Sequence, residues 1–145
     1  MSDSEARSAG SVEQPAQALL LDPDLFFAVK VSAMLKHMDI ATVTARNLDN
    51  WMRRLESERF VVALVNISAR GVAWTQAISA ARASGVPVIA YGSHVETEAQ
   101  AQARSAGATR VIANSKLATD LPAIVTRTLQ RAQEHGGTGV ADEDV

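Results

Sequence analysis

The stretch VVALVNIS, residues 61–68, decides the fold. Five apolar residues, Val61 to Val65, run without a polar break into Asn66, and Ile67 and Ser68 follow. A continuous β-branched run without alternation fits a strand covered on both faces, as in a parallel sheet. The carboxyl ends of such strands are where open α/β sheets present their ligands. An aspartate at that point would bring a charge and a nucleophilic oxygen. Asn66 brings neither.

Working outward, short apolar runs alternate with segments of helical period. ALLL (18–21) ends at Asp22, Pro23 and Asp24 and reads as a buried strand. In residues 25–38, Phe27, Val31, Met34, Leu35 and Met38 fall on one helical face. IATVTA (40–45) is a strand, and in residues 47–58 Leu48, Trp51, Met52 and Leu55 share a face behind Asn47, a residue suited to an N-cap. The central strand spans 60–65. A helix over 72–85 ends at Gly85, suited to a left-handed C′ position. The strand VPVIAY (86–91), a helix over 96–107 closed by Gly107 and the strand TRVIA (109–113) follow. The last helix, 120–132, puts Leu121, Ile124, Val125, Thr128 and Leu129 on one face, with Thr119 or Asp120 as its cap. Five strands and five helices in strict alternation imply parallel strands with right-handed crossovers. The predicted fold is an α/β doubly wound five-stranded parallel sheet in the flavodoxin-like order 2-1-3-4-5, spanning residues 17–132.

Composition narrows the function. The chain has 145 residues, enough for one domain with a sizeable core, and its net charge of −2 gives no electrostatic case for nucleic acid. With no cysteine, thiol catalysis, disulfides and cysteine metal sites are excluded. The histidines at 37, 94 and 135 lack metal-ligand spacing, and Ser93 and His94, being adjacent, point apart rather than forming a dyad. No strand-to-helix turn carries a glycine-rich phosphate loop. No apolar run is long enough to span a bilayer, and residues 1–14 lack an apolar signal segment, so a cytoplasmic protein without membrane contact is expected. Residues 1–16 and the acidic, glycine-rich 133–145 read as flexible tails. No further domain is expected, so output is expected through another chain.

Four strand ends gather the candidate residues: Asp22 to Asp24, Asn66 to Ser68, Gly92 to His94 and Asn114 to Lys116. Each has a structural reading. Asn66 suits a strand-end turn, and Asp22 and Asp24 around Pro23 suit a turn and helix cap better than an octahedral cation cage.

The order and spacing of LLLDPDLFFAVKVSAMLK, VVALVN, GVPVIAYGSH and SAGATRVIANS resemble the receiver domain of bacterial two-component response regulators over residues 17–132. The resemblance implies a phosphorylation site of two acids for Mg²⁺, an acceptor aspartate, a hydroxyl and a lysine, which neutralise and place a phosphoryl group. Asp22 matches the first acid. Pro23 stands on the second, Asn66 on the acceptor, Gly92 on the hydroxyl with Ser93 beside it, and Asn114 on the lysine with Lys116 two residues on. The loop after the central strand is also short, with Gly71 five residues past Asn66. Four departures together make this a degenerate, pseudo-receiver pattern, with no catalytic residue, cofactor or metal expected.

The resemblance implies a signalling protein as partner and a possible homodimer through the fourth helix, fifth strand and fifth helix. The candidate face there is Gln100, Arg104, Arg110, Arg127 and Arg131. Two alternatives stand beside phosphorylation-independent interaction. One is a small-ligand or nucleotide site at the strand ends using Ser93 and Lys116. The other is an active atypical receiver using Asp22 or Asp24.

Overall fold

The computed structural model describes residues 15–134. Five strands, β1 (Ala16–Leu21), β2 (Ile40–Ala45), β3 (Val62–Asn66), β4 (Val88–Gly92) and β5 (Arg110–Ala113), alternate with five helices. These are α1 (Leu25–Lys36), α2 (Leu48–Ser57), α3 (Trp74–Ala83), α4 (Thr97–Ala106) and α5 (Asn114–Glu134). All four strand pairings are parallel, and the order is β2-β1-β3-β4-β5, as the strict alternation predicts. The expected tails lie, apart from their inner edges, outside the described residues.

Period-two alternation divides the core into two layers. Ala18, Leu20, Val62, Leu64, Ile89 and Tyr91 face α1 and α5. Leu19, Leu21, Ala63, Val65, Val88 and Ala90 face the other way, toward α2, α3 and α4. Trp51 is wholly buried in that second layer, and its indole Nε1–H donates to the Ala77 carbonyl at 3.0 Å, tying α2 to α3. Trp74, the first residue of α3, is half-buried against the same layer.

Local signals behave as their chemistry requires. Asn47 Oδ1 accepts from Asn50 N–H at 2.8 Å and caps α2. Gly85 and Gly107 close α3 and α4 at φ +81° and +116°, the left-handed region that costs glycine least.

Two expectations need correction. Met52 does not join the inner face of α2 but is 40% exposed. The last helix also begins earlier than predicted, directly from β5 at Asn114. It breaks at Asp120 (φ −121°, ψ 19°), so that Pro122 opens a second helical run where a missing N–H is tolerated. Asn and Ser masked the first run because they favour turns as readily as helix. Thr119 is no cap: its hydroxyl donates back to the Ser115 and Lys116 carbonyls at 3.2 Å.

The Trp51 bond gives a test. Trp51→Phe removes the bond to Ala77 and leaves a cavity where the rest of the buried indole packs, and should cost about 1–3 kcal/mol in denaturant melts.

Candidate functional site

Strand register builds the site. β1 and β3 pair Leu21 with Val65, and β3 and β4 pair Asn66 with Tyr91. Neighbours in a parallel register share a face, so Asp22, Asn66 and Tyr91 meet side by side at the carboxyl edge, above the α1 and α5 layer.

Asp22 is the centre of this group and is 3% exposed. Its Oδ2 accepts from the Tyr91 hydroxyl at 2.6 Å. Its Oδ1 accepts from Asn66 Nδ2 at 3.1 Å and from the Asp24 backbone N–H at 2.8 Å. Asn66 bridges outward, its Oδ1 accepting from Ser68 N–H at 2.8 Å. Asp24 in turn caps α1, its Oδ1 accepting from Phe26 N–H at 3.0 Å and Phe27 N–H at 3.2 Å. Tyr91 is fully buried and its ring lies 5.5 Å from that of Phe27 on α1. Burial, and then the charge of Asp22, hold the Tyr91 hydroxyl well above its ordinary pKa.

The residue types do not fit a divalent cation. A hard cation needs several free carboxylate or carbonyl oxygens. The Asp22 oxygens are already engaged by three donors, Pro23 offers no side-chain oxygen, and Asn66 turns its N–H toward Asp22.

A second cluster occupies the hydroxyl position. A Cβ on Gly92 would lie 2.7 Å from Ser68 Oγ and 2.9 Å from Ile67 Cγ1, so glycine is required by space. The Ser68 hydroxyl accepts from Ser93 N–H at 2.9 Å and donates to Glu96 Oε1 at 2.8 Å. It stands where a hydroxyl at residue 92 would reach. Ser93 Oγ accepts from Val95 N–H at 3.3 Å, and its carbonyl, like that of His94, accepts from Gln100 Nε2 at 3.3 Å.

The remaining sequence-predicted residues are placed apart from this centre. Asn114 is exposed at the start of α5, and Lys116 is half-buried within that helix. On the predicted interaction face, Gln100 is spent on the 93–94 loop. Arg110 is 4% exposed and so lies within the fold rather than on the face. Arg104 and Arg131 are half-buried, Arg127 is exposed, and each of the four arginines has a partner. Sequence reasoning missed Tyr91, and it placed Ser68 at a strand end without its role over Gly92. Tyr91 stood in an apolar run, but a single tyrosine among β-branched residues, aimed at the face of Asp22 and Asn66 by period two, was a usable signal.

Tyr91 is the sole tyrosine of the chain, so tyrosinate absorbance reports this site alone. The folded state favours its protonated form. The stability it confers is therefore complete below the unfolded value, about pH 10, and is lost as pH rises through the raised folded value. No tyrosinate should form near pH 10 while the chain stays folded. Tyr91→Phe should flatten the alkaline loss and cost about 1.5–3 kcal/mol at neutral pH, by taking a donor from the buried carboxylate. Gly92→Ala should cost about 1–3 kcal/mol through overpacking, and Ser68→Gly should restore only part because Ile67 still crowds the site.

No family model matches the chain, and no curated protein matches it. Solved structures do match in fold. A CheY-like response regulator receiver domain from Methanospirillum hungatei superposes with TM-score 0.74 at 19% identity, covering 85% of this chain and 100% of its own. The receiver domain of Francisella response regulator 1452 gives 0.69 at 16% identity, covering 82% and 99%. The chemotaxis response regulator CheY4 of Vibrio cholerae gives 0.69 at 17% identity, covering 79% and 99%. The chain therefore has the fold of CheY-like response regulator receiver domains, with Asp22, Asn66 and Tyr91 closed on one another at the edge where such sheets bind ligands.

Proposed function

We propose that this chain is a receiver-like signalling domain that acts through protein–protein contact without being phosphorylated. The observation that carries the reading is the engagement of both Asp22 oxygens by Tyr91, Asn66 and the Asp24 amide. Phosphoryl transfer depends on a nucleophile and on cations that neutralise and place the phosphoryl group. At the acceptor position Asn66 offers an amide whose oxygen is engaged by Ser68 N–H. Both oxygens of the Asp22 carboxylate are engaged by protein donors, Asp24 is committed to the α1 amides, and Asn114 and Gly92 supply neither amine nor hydroxyl.

On this reading the domain keeps the receiver scaffold as a rigid display. Asn66 holds the place of an acid, donating to Asp22 and accepting from Ser68 N–H. Its neutrality matters because Asp22 lies within hydrogen-bond distance, and two carboxylates so close oppose each other's ionisation.

Intact-mass measurement after incubation with acetyl phosphate and Mg²⁺ should show no added phosphoryl group, and beryllofluoride should shift no resonance at the strand ends. A phosphoryl adduct on an aspartate would overturn the reading. Asn66→Asp should not restore phosphorylation. The new carboxyl should favour its protonated form in the folded state, so the variant should lose stability relative to the parent as pH rises from mildly acidic to neutral. Paired melts with and without Mg²⁺ check this, and strong magnesium stabilisation of the variant would count against the reading.

A further inference from the structure

The two edges of the sheet differ in length and in guarding. β5 is four residues long, begins with Arg110 and runs straight into α5. β2 is six residues long and reads IATVTA, with no charge, proline or glycine. It is the end strand of the sheet, and its pairing with β1 is unbroken over all six residues. Edge strands are ordinarily guarded by charges, proline, a bulge or shortness, because their unpaired N–H and C=O groups are a template for another strand. β2 has none of these guards. Among the described residues, no backbone group outside β1 hydrogen-bonds to residues 40–45.

The strand has room beside it. Ala41 and Thr44 are exposed, and Thr42 and Val43 are half-buried. A cavity of about 430 Å³ borders Ala41 and Thr42, and one of about 910 Å³ borders Thr44 and Ala45. Thr42 carries a buried hydroxyl oxygen with no hydrogen-bond partner. Charge is confined to the two ends, where exposed Asp39 precedes the strand and exposed Arg46 follows it. Opposite charges at opposite ends make the edge complementary to a reversed copy of itself.

We infer that β2 pairs antiparallel with β2 of a second copy of this chain, joining two five-stranded sheets into one across a homodimer. The inference goes beyond the contact-signalling reading and does not depend on it. It also puts the dimer contact at the opposite edge of the sheet from α4, β5 and α5, where the sequence suggested it. Geometry sets the register. A two-fold axis normal to the sheet keeps each face of the sheet continuous, so a residue meets one of its own parity. With Thr42 on the axis, Thr42 meets its own copy, Ala41 meets Val43 and Ile40 meets Thr44. A rotation about χ1 turns the Thr42 hydroxyl to the edge, and threonine pairs hydrogen-bond across antiparallel strands. Asp39 then lies opposite Ala45 of the second copy, one residue from Arg46 of that copy. The two-fold makes this approach of opposite charges twice. Charge complementarity selects the occupant: a strand of other sequence must bring matching charges of its own, whereas the second copy brings them by symmetry.

Sedimentation equilibrium of the full chain should show a monomer giving way to a dimer between micromolar and millimolar concentration. Hydrogen exchange at the β2 amides should slow as the dimer forms, and exchange in α4 and β5 should not change. Ala41→Lys and Thr44→Lys set like charges close to the axis, and each should raise the dimer Kd by about tenfold or more. Both sites are exposed, so each variant should keep the parent's thermal transition at concentrations where the chain is monomeric. Arg46→Glu should weaken the dimer by about tenfold, and adding Asp39→Asn should recover part of that loss by removing the new repulsion. Asparagine is chosen because Asp39 stands at φ 61°, a conformation Asn tolerates. A role for Arg46 within the monomer alone would give no such recovery and would overturn the charge pairing. A chain that stays monomeric throughout overturns the proposal. So does a dimer indifferent to Thr44→Lys, or one lost through Arg127→Glu, which assigns the contact to the other edge. A monomer whose β2 amides exchange slowly at every concentration assigns the edge to another segment of the same chain, and overturns it too.

Discussion

A carboxylate buried under the carboxyl edge of the sheet is affordable only if donors replace its water, and the upper half of this molecule is arranged around that requirement. Asp22 is 3% exposed and receives the Tyr91 hydroxyl, the Asn66 amide and the Asp24 N–H. Each donor belongs to a different piece of structure. Tyr91 fixes β4 and, through its ring, the first turn of α1. Asn66 fixes the end of β3 and the turn to Ser68. The Asp24 amide fixes the loop from which Asp24 caps α1. Removing one donor leaves a buried charge short of a partner. That loss exceeds the modest net gain of forming a typical hydrogen bond, so the network holds these elements in one arrangement.

The same requirement explains the residue types at the edge. Asn66 works where aspartate would not, because one amide both donates to Asp22 and accepts from Ser68. Glycine at 92 works because the Ser68 side chain fills the space above it. These are paired choices, with Tyr91 and Asn66 answering Asp22, and Gly92 answering Ser68. A site built of such pairs does not take on another chemistry by one substitution, since a new side chain meets a neighbour fitted to the present one.

The fold was legible in the sequence because its determinants are local and periodic. IATVTA set β2 at 40–45, and Asn47, Gly85 and Gly107 marked helix ends through their own chemistry. The candidate positions Asp22 and Asn66 were legible from strand-end placement. What closed them was not, because the Tyr91 hydroxyl comes from 69 residues away and lay inside an apolar run. The Ser68 hydroxyl over Gly92 bridges loops in the same non-local way. The outer side of α1 was hidden for another reason. LFFAVKVSAMLK is apolar at most positions, so periodicity identifies the buried stripe of Val31 and Leu35 but says nothing of Phe26 and Val29 on the far side.

A site closed on itself changes what the fold can transmit. An equilibrium between two arrangements shifts only by the difference in a ligand's affinity for them. On the proposed reading, with both Asp22 oxygens engaged from within, the strand-end edge offers little differential binding and the internal donors favour one arrangement. Leu25, Phe26 and Val29 stay exposed on a helix whose first turn is pinned to that cluster. On the proposed reading, a partner meets a pre-organised surface and loses little in ordering it. Control on the proposed reading then passes from the state of this chain to the supply of its partner, because a surface displayed permanently responds to concentration and to little else.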